Sequence, residues 1–219
     1  MDARPHGLER AGPMHPRFAA IATGGIVVRN LIPLVSLLWV GASARQFLLL
    51  SAFNLALGIV GIGIVGVAVS QAQEPTVTRD FGDSVRAWLN LTATSVVMAL
   101  LLTFLFSFAL VVTAGAASEP VFDAAFGWSA LGIAIGALPG VVGRYQADRG
   151  AGLDEASRKR RDMPAVGSAL GCGALLFVVA GWAVKLGPNG LIAGAVAATA
   201  LFMLRDLRPD LLRPILRSR

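Results

Sequence analysis

The chain has 219 residues, of which 55% are apolar and 15% charged, and its mean hydropathy is +0.69. That leaves too little polar surface to coat a water-soluble globule, and the apolar residues fall in runs of about 17–25, enough for a helix to cross ~30 Å of hydrocarbon. A net charge of +6 would suggest nucleic acid in a soluble protein, but here the basic residues sit in short segments between apolar runs, where they orient helices and meet anionic lipid.

Residues 1–17 read as a polar, proline- and glycine-containing cytoplasmic tail. It holds both histidines, His6 and His15, with no carboxylate at metal-ligand spacing. A transmembrane domain over 18–204 follows, with spans expected at about 26–44, 47–69, 89–113, 122–142, 164–184 and 188–204. The first span opens on Arg29-Asn30-Leu31-Ile32-Pro33, and Arg29 is the one charge expected away from a span end. The segment Ala42-Ser43-Ala44 has the form of a signal-peptidase site. The polar region before it is too long for an ordinary signal peptide and Pro33 breaks the apolar core, so the segment is read as a signal-anchor helix.

In the second span Ser51, Asn54, Gly58 and Gly61 recur at three- and four-residue steps, a small polar face that admits a close neighbour. The connection 71–86 is read as ending in a short interfacial helix, and the third span is rich in Leu and Phe. The fourth carries Gly132, Gly136 and Gly140 at four-residue spacing, with Pro139 bending its end. Residues 143–162 form the most charged connection, and Arg158, Lys159, Arg160 and Arg161 are assigned to lipid head groups. Gly167 and Gly171 supply a further packing face in the fifth span, a tight turn at 186–190 leads to the sixth, and 205–219 is a basic cytoplasmic tail.

The fold expected is therefore all-α: a polytopic membrane bundle of about six helices. Placing both termini on one side puts sixteen basic residues on that side and two, Arg45 and Lys185, on the other. The positive-inside rule makes the first side cytoplasmic. Trp39, Trp88, Trp128 and Trp182 each fall near a span end, where an amphipathic ring prefers to sit. Arginine supplies 17 of the 19 basic residues, which fits an alanine-rich bacterial genome, and the expected location is a bacterial inner membrane.

Little catalytic chemistry is legible. No Asp, Glu or His is expected within a span away from its ends, Asp123 being the second residue of the fourth, so an intramembrane proton relay is lacking. Ser129 in Gly127-Trp128-Ser129-Ala130 has a nucleophile-elbow look but no histidine to serve it. Cys172 is alone and can form neither a disulfide nor a thiolate metal site within one chain. No cofactor or metal is expected. Arg29 has two readings: it snorkels to lipid phosphates, or with Asn30 and Asn54 it lines a polar pocket to which Pro33 exposes a free carbonyl.

Asn30-Leu31-x-Pro33, Trp39, the Gln46-Phe47 entry to the second span and Asn54 within it resemble an uncharacterised family of small bacterial and archaeal multi-pass membrane proteins. The resemblance covers about the first 70 residues and implies the membrane class only. Asn54, within an otherwise apolar and glycine-rich helix, sets this chain apart. Three functions compete. The first is a non-enzymatic accessory or assembly protein acting through helix contacts, with lipids and a second copy or another membrane protein as partners. The second is a transporter or channel for a small solute, with its site at Arg29, Asn30 and Asn54, and the third is a lipid-acting enzyme. A reporter active only in the cytoplasm is expected to be active when fused to either terminus; silence at one end would overturn the topology.

Overall fold

The structure is a computed structural model and describes residues 16–73, 85, 89, 122–152 and 155–208. It has five long helices among those residues: α1 (Pro16–Val35), prolonged by a π-helical turn (Ser36–Val40), α2 (Ala44–Gln73), α3 (Ala124–Ala151), α4 (Glu155–Lys185) and α5 (Gly187–Leu207). No strand occurs among them. Four segments are long and apolar enough to cross a membrane: Ala20–Val40, Ala44–Ser70, Ala124–Ala151 and Asn189–Leu207. The expected third span and the connection before it lie outside the described residues, apart from residues 71–73, which end α2, and two isolated positions.

Local chemistry explains the helix ends. Pro33 lies inside α1, where it can give no hydrogen bond to the Arg29 carbonyl one turn back. Three residues later the helix loosens into π geometry. Gly41, at φ 78°, then closes it by donating its N–H to the Ser36 carbonyl, a left-handed cap that disfavours any side chain.

Ala42-Ser43-Ala44 is the turn between the first two helices. The Ser43 hydroxyl accepts the Gln46 N–H at 3.2 Å, and the Gln46 side-chain carbonyl accepts the Ser43 N–H at 2.8 Å. This reciprocal pair starts α2 earlier than hydropathy suggests. At the start of α3 the Asp123 carboxylate accepts the Phe126 N–H at 2.7 Å. That bond, followed by one from Gln46, holds the exposed Asp123 carboxyl below the usual carboxylate range.

The charged segment 143–162 is not a connection. α3 continues through it to Ala151, Gly152 turns the chain at φ 58°, and α4 begins by Glu155, so that Pro164 lies inside α4 rather than before it. Arg, Lys and Glu are good helix formers, and their charges pair between the two helix ends, as described below. Hydropathy marks where a helix leaves the apolar layer, which is not where the helix ends.

Helices have no hydrophobic incentive to associate in lipid, so close backbone approach matters more. α1 and α3 run antiparallel: a Cβ on Gly25 would lie 2.7 Å from the Gly136 carbonyl oxygen, one on Gly136 would lie 3.1 Å from Arg29 Cβ, and one on Gly132 would lie 3.0 Å from Ile32 Cδ1. Further along, the Ser36 and Ser129 hydroxyls share a hydrogen bond of 2.8 Å. On the other face of the bundle Phe47, Leu48 and Leu55 of α2 pack with Cys172 and Leu176 of α4 and Ala195, Ala198 and Phe202 of α5.

The predicted glycine faces divide by role. Gly61 meets Val141, and Gly132 and Gly136 meet α1. By contrast, a Cβ on Gly58, Gly140, Gly167 or Gly171 would find nothing within 4 Å. Trp39 and Trp128 are exposed and lie at one end of the bundle, flanking the Ser36–Ser129 contact. Replacing Gly136 with leucine drives a side chain into α1 and is expected to destabilise by roughly 1–3 kcal/mol, as overpacking does. Gly140→Leu is expected to leave the unfolding temperature in mild detergent near the wild-type value, and equal effects at the two positions would contradict this packing.

Candidate functional site

A buried polar network joins α1, α2 and α5. Arg29 Nη2 donates to Asp206 Oδ2 at 2.5 Å, and Asn30 Nδ2 donates to the same oxygen at 3.1 Å. Asp206 Oδ1 accepts Arg205 Nε at 2.7 Å, with Arg205 Nη2 2.5 Å away. The Asn30 amide also donates to the Ile26 carbonyl at 2.9 Å, and its oxygen accepts Asn54 Nδ2 at 2.7 Å. Asn54 is 0% exposed, Asn30 1%, Arg205 7% and Arg29 9%.

The expected trio of Arg29, Asn30 and Asn54 is thus brought together, with Arg29 turned into the bundle on a carboxylate. Sequence reasoning missed that carboxylate. Arg205 and Asp206 were assigned to the C-terminal tail because hydropathy falls after Leu204. The helix carries both inward, and the candidate span Asn189–Leu207 includes them. The expectation that no acid lies within a span is corrected by Asp206. A signal was available: an arginine inside a span, at ~2.5–3.5 kcal/mol on insertion scales, calls for a partner, and Asp206, like Asp162, lies only two residues from a predicted span end on that side.

The network borders a cavity of about 450 Å³ among all five helices. Arg29, Arg205 and Asp206 stand at its inner end, and Arg144 and Arg161 line it nearer the helix ends. Its walls are apolar, including Ile26, Leu57, Ile62 and Val141, and the open positions at Gly58 and Gly140 add to its space. Asn30 and Asn54 stand behind the inner layer and hold it. Since Gly136 touches Arg29, and Arg144 lies eight residues further along α3, the two arginine layers are separated by roughly 12 Å along the helix axis.

The layers differ in how their arginines are paired. In the outer one, Arg161 donates Nη1 and Nη2 to the two Asp148 oxygens at 2.6 Å each, and Arg144 pairs with Asp162. Both pairs tie α3 to α4. Nearby Arg158 is buried, donating Nη1 to the Gly66 carbonyl at 3.2 Å and Nη2 to the Ser70 hydroxyl at 3.0 Å, which ties α4 to α2. The inner layer sets two guanidiniums against one carboxylate. Arg29 Nε and Arg205 Nη1 are buried with no acceptor among the described residues.

Of the four residues assigned to lipid head groups, Arg160 is exposed, Arg158 and Arg161 bond within the chain as above, and the Lys159 side chain lies outside the description. Ser129 sits mid-helix against Ser36 rather than at a strand–helix elbow. No cluster of metal-ligating side chains occurs among the described residues. No protein-family model, curated protein or solved structure was found to match the chain.

Removing one member of a buried pair strands the other charge, at a cost of about 3 kcal/mol. Arg29→Leu and Asp206→Leu are each expected to lower stability in detergent markedly, with the double variant less affected than the sum of the two. Purely additive losses in chemical unfolding would show that the pair is not coupled.

Proposed function

We propose that this chain is a six-span protein of a bacterial inner membrane, both termini cytoplasmic, that binds an anionic solute in the arginine-lined cavity and carries it across the bilayer. The observation that carries the reading is the inner layer: two buried guanidiniums sharing one carboxylate at the edge of a cavity about 450 Å³ in volume. Desolvated charge of one sign is costly and is kept where it meets a ligand or a partner of opposite sign. An arriving anion takes up part of the hydrogen bonding of Arg29 and Arg205 and relieves that excess.

The orientation rests on the distribution of basic residues, and the helix ends that bear Arg144, Arg149 and Arg158–Arg161 lie at the same end of the bundle as the start of α1. On this reading the cavity faces the cytoplasm, and the ion pairs between α3 and α4 stand at its mouth. Pro33 and the π-turn after it lie just beyond Arg29, and Pro139 lies on the facing helix. Both interrupt the regular backbone ladder beside the cavity and give the path places to bend. The accessory-protein reading drew on small-residue faces, of which Gly132 and Gly136 are occupied by α1 of the same chain while Gly167 and Gly171 stay exposed. The lipid-enzyme reading has gained no acid–base pair, because Asp148 and Asp162 are both bound to arginine.

Proteoliposomes containing the purified protein are expected to take up at least one of bromide, sulfate, phosphate and benzenesulfonate faster than empty vesicles. Arg205→Gln is expected to slow that uptake by an order of magnitude. Transport is refuted if none of the four moves in an Arg205-dependent way.

A further inference from the structure

The cavity specifies more than the sign of its ligand. Building on the reading of the cavity as an anion site, we infer that the ligand is amphipathic: a singly charged oxyanion head attached to a compact apolar body. The head belongs between Arg29 and Arg205, and the body along the wall of Ile26, Leu57, Ile62 and Val141.

Charge sets the head. Among the described residues Arg29 and Arg205 face Asp206 as their one carboxylate, leaving one positive charge to be met. A neutral ligand leaves that charge uncompensated, and a dianion reverses it; both are unfavourable away from water. Geometry makes the head an oxyanion. Each guanidinium still has a buried N–H without an acceptor among the described residues, Arg29 Nε and Arg205 Nη1, and two donors from two arginines suit a head with two or more oxygens.

Volume and wall chemistry set the body. A bare ion of about the size of a water molecule takes up only ~30 Å³, a small part of the roughly 450 Å³ present. Beyond the inner arginines the walls are aliphatic until the outer layer, whose charges are already paired with each other. Arg144 Nε in the outer layer is also without an acceptor among the described residues, but both outer arginines already hold an aspartate, so the unneutralised charge lies at the inner end. Gly58 and Gly140 keep the space open: both line the cavity and a Cβ at either meets nothing within 4 Å. Larger residues there would fill the cavity with no helix in the way, so the space depends on glycine at these two positions.

Such a head has two sources, the phosphodiester of an anionic lipid or the acid group of a soluble amphiphile. The test measures binding of benzenesulfonate, methanesulfonate and sulfate to the protein in dodecylmaltoside, by calorimetry and by shift of the unfolding temperature. Benzenesulfonate is expected to bind saturably and at least tenfold more tightly than methanesulfonate, which has the same head without the body, or sulfate, which has twice the charge. Arg205→Gln and Gly140→Leu should each weaken it at least tenfold, while exposed Arg160→Gln should not. Gly140→Leu leaves every polar group in place, so it remains decisive if Arg205→Gln folds poorly.

If methanesulfonate or sulfate binds as tightly as benzenesulfonate and depends on Arg205, the amphipathic ligand is overturned while the anion cavity stands. If none of the three binds the folded protein, both fall. Displacement of bound benzenesulfonate by phosphatidylglycerol supports the proposal with a lipid as the source. Retention in its presence supports it with a soluble acid.

Discussion

The ion pair between Arg29 and Asp206 is the contact on which the rest of the arrangement turns. It links residues 177 positions apart at 2.5 Å, and neither side chain can lie in hydrocarbon without the other. The pair therefore sets the height of α5 against α1. Asn30 and Asn54 extend the same network to α2, so that three helices are registered by hydrogen bonds rather than by fit alone. Arg205 gives the carboxylate a second cation and leaves the group with a surplus of one positive charge.

Two devices at either side of this network do different work. Towards the middle of the bundle, glycines at a four-residue step bring α3 so close to α1 that a methyl group at Gly136 would press on Arg29. One turn further on, the same step reaches Gly140, where a Cβ would meet nothing within 4 Å although Pro139 beside it still abuts Gly25, and the missing side chain leaves open space. A single periodic stripe thus makes both a tight seam and the start of a cavity. Towards the helix ends, paired arginines and aspartates tie α3 to α4, and Arg158 ties α4 to α2 beside the buried Val65 and Val69.

Much of the fold was legible because lipid imposes few choices. A run of apolar residues has to be helical, since backbone groups find no partner in hydrocarbon otherwise, and α1, α2, α3 and α5 each appear about where hydropathy places them. Helix ends were less legible wherever charge and helix coincide. Residues 143–162 read as a loop because hydropathy reports polarity, and polarity is the same for a solvated loop and for two helix ends whose charges cancel. Arg205 and Asp206 were misplaced for the same reason. Arg29, Asn30 and Asn54 stood out in the sequence because a polar side chain among apolar ones is conspicuous in one dimension, and the fold brings the three together.

What the sequence determined by itself is the helical membrane class, the order of the helices and the presence of a polar trio in the first two. Each follows from local composition and from the cost of unpaired polar groups in an apolar solvent. Only the tertiary structure decided that Asp206 answers Arg29, that Arg158 turns inward, and that the spaced glycines of α2 and α3 split between seam and cavity. Those outcomes depend on which helix stands opposite which, and at what height. Partners far apart in the chain leave no periodic trace, so the charge surplus that defines the site became visible only once α5 was packed against α1.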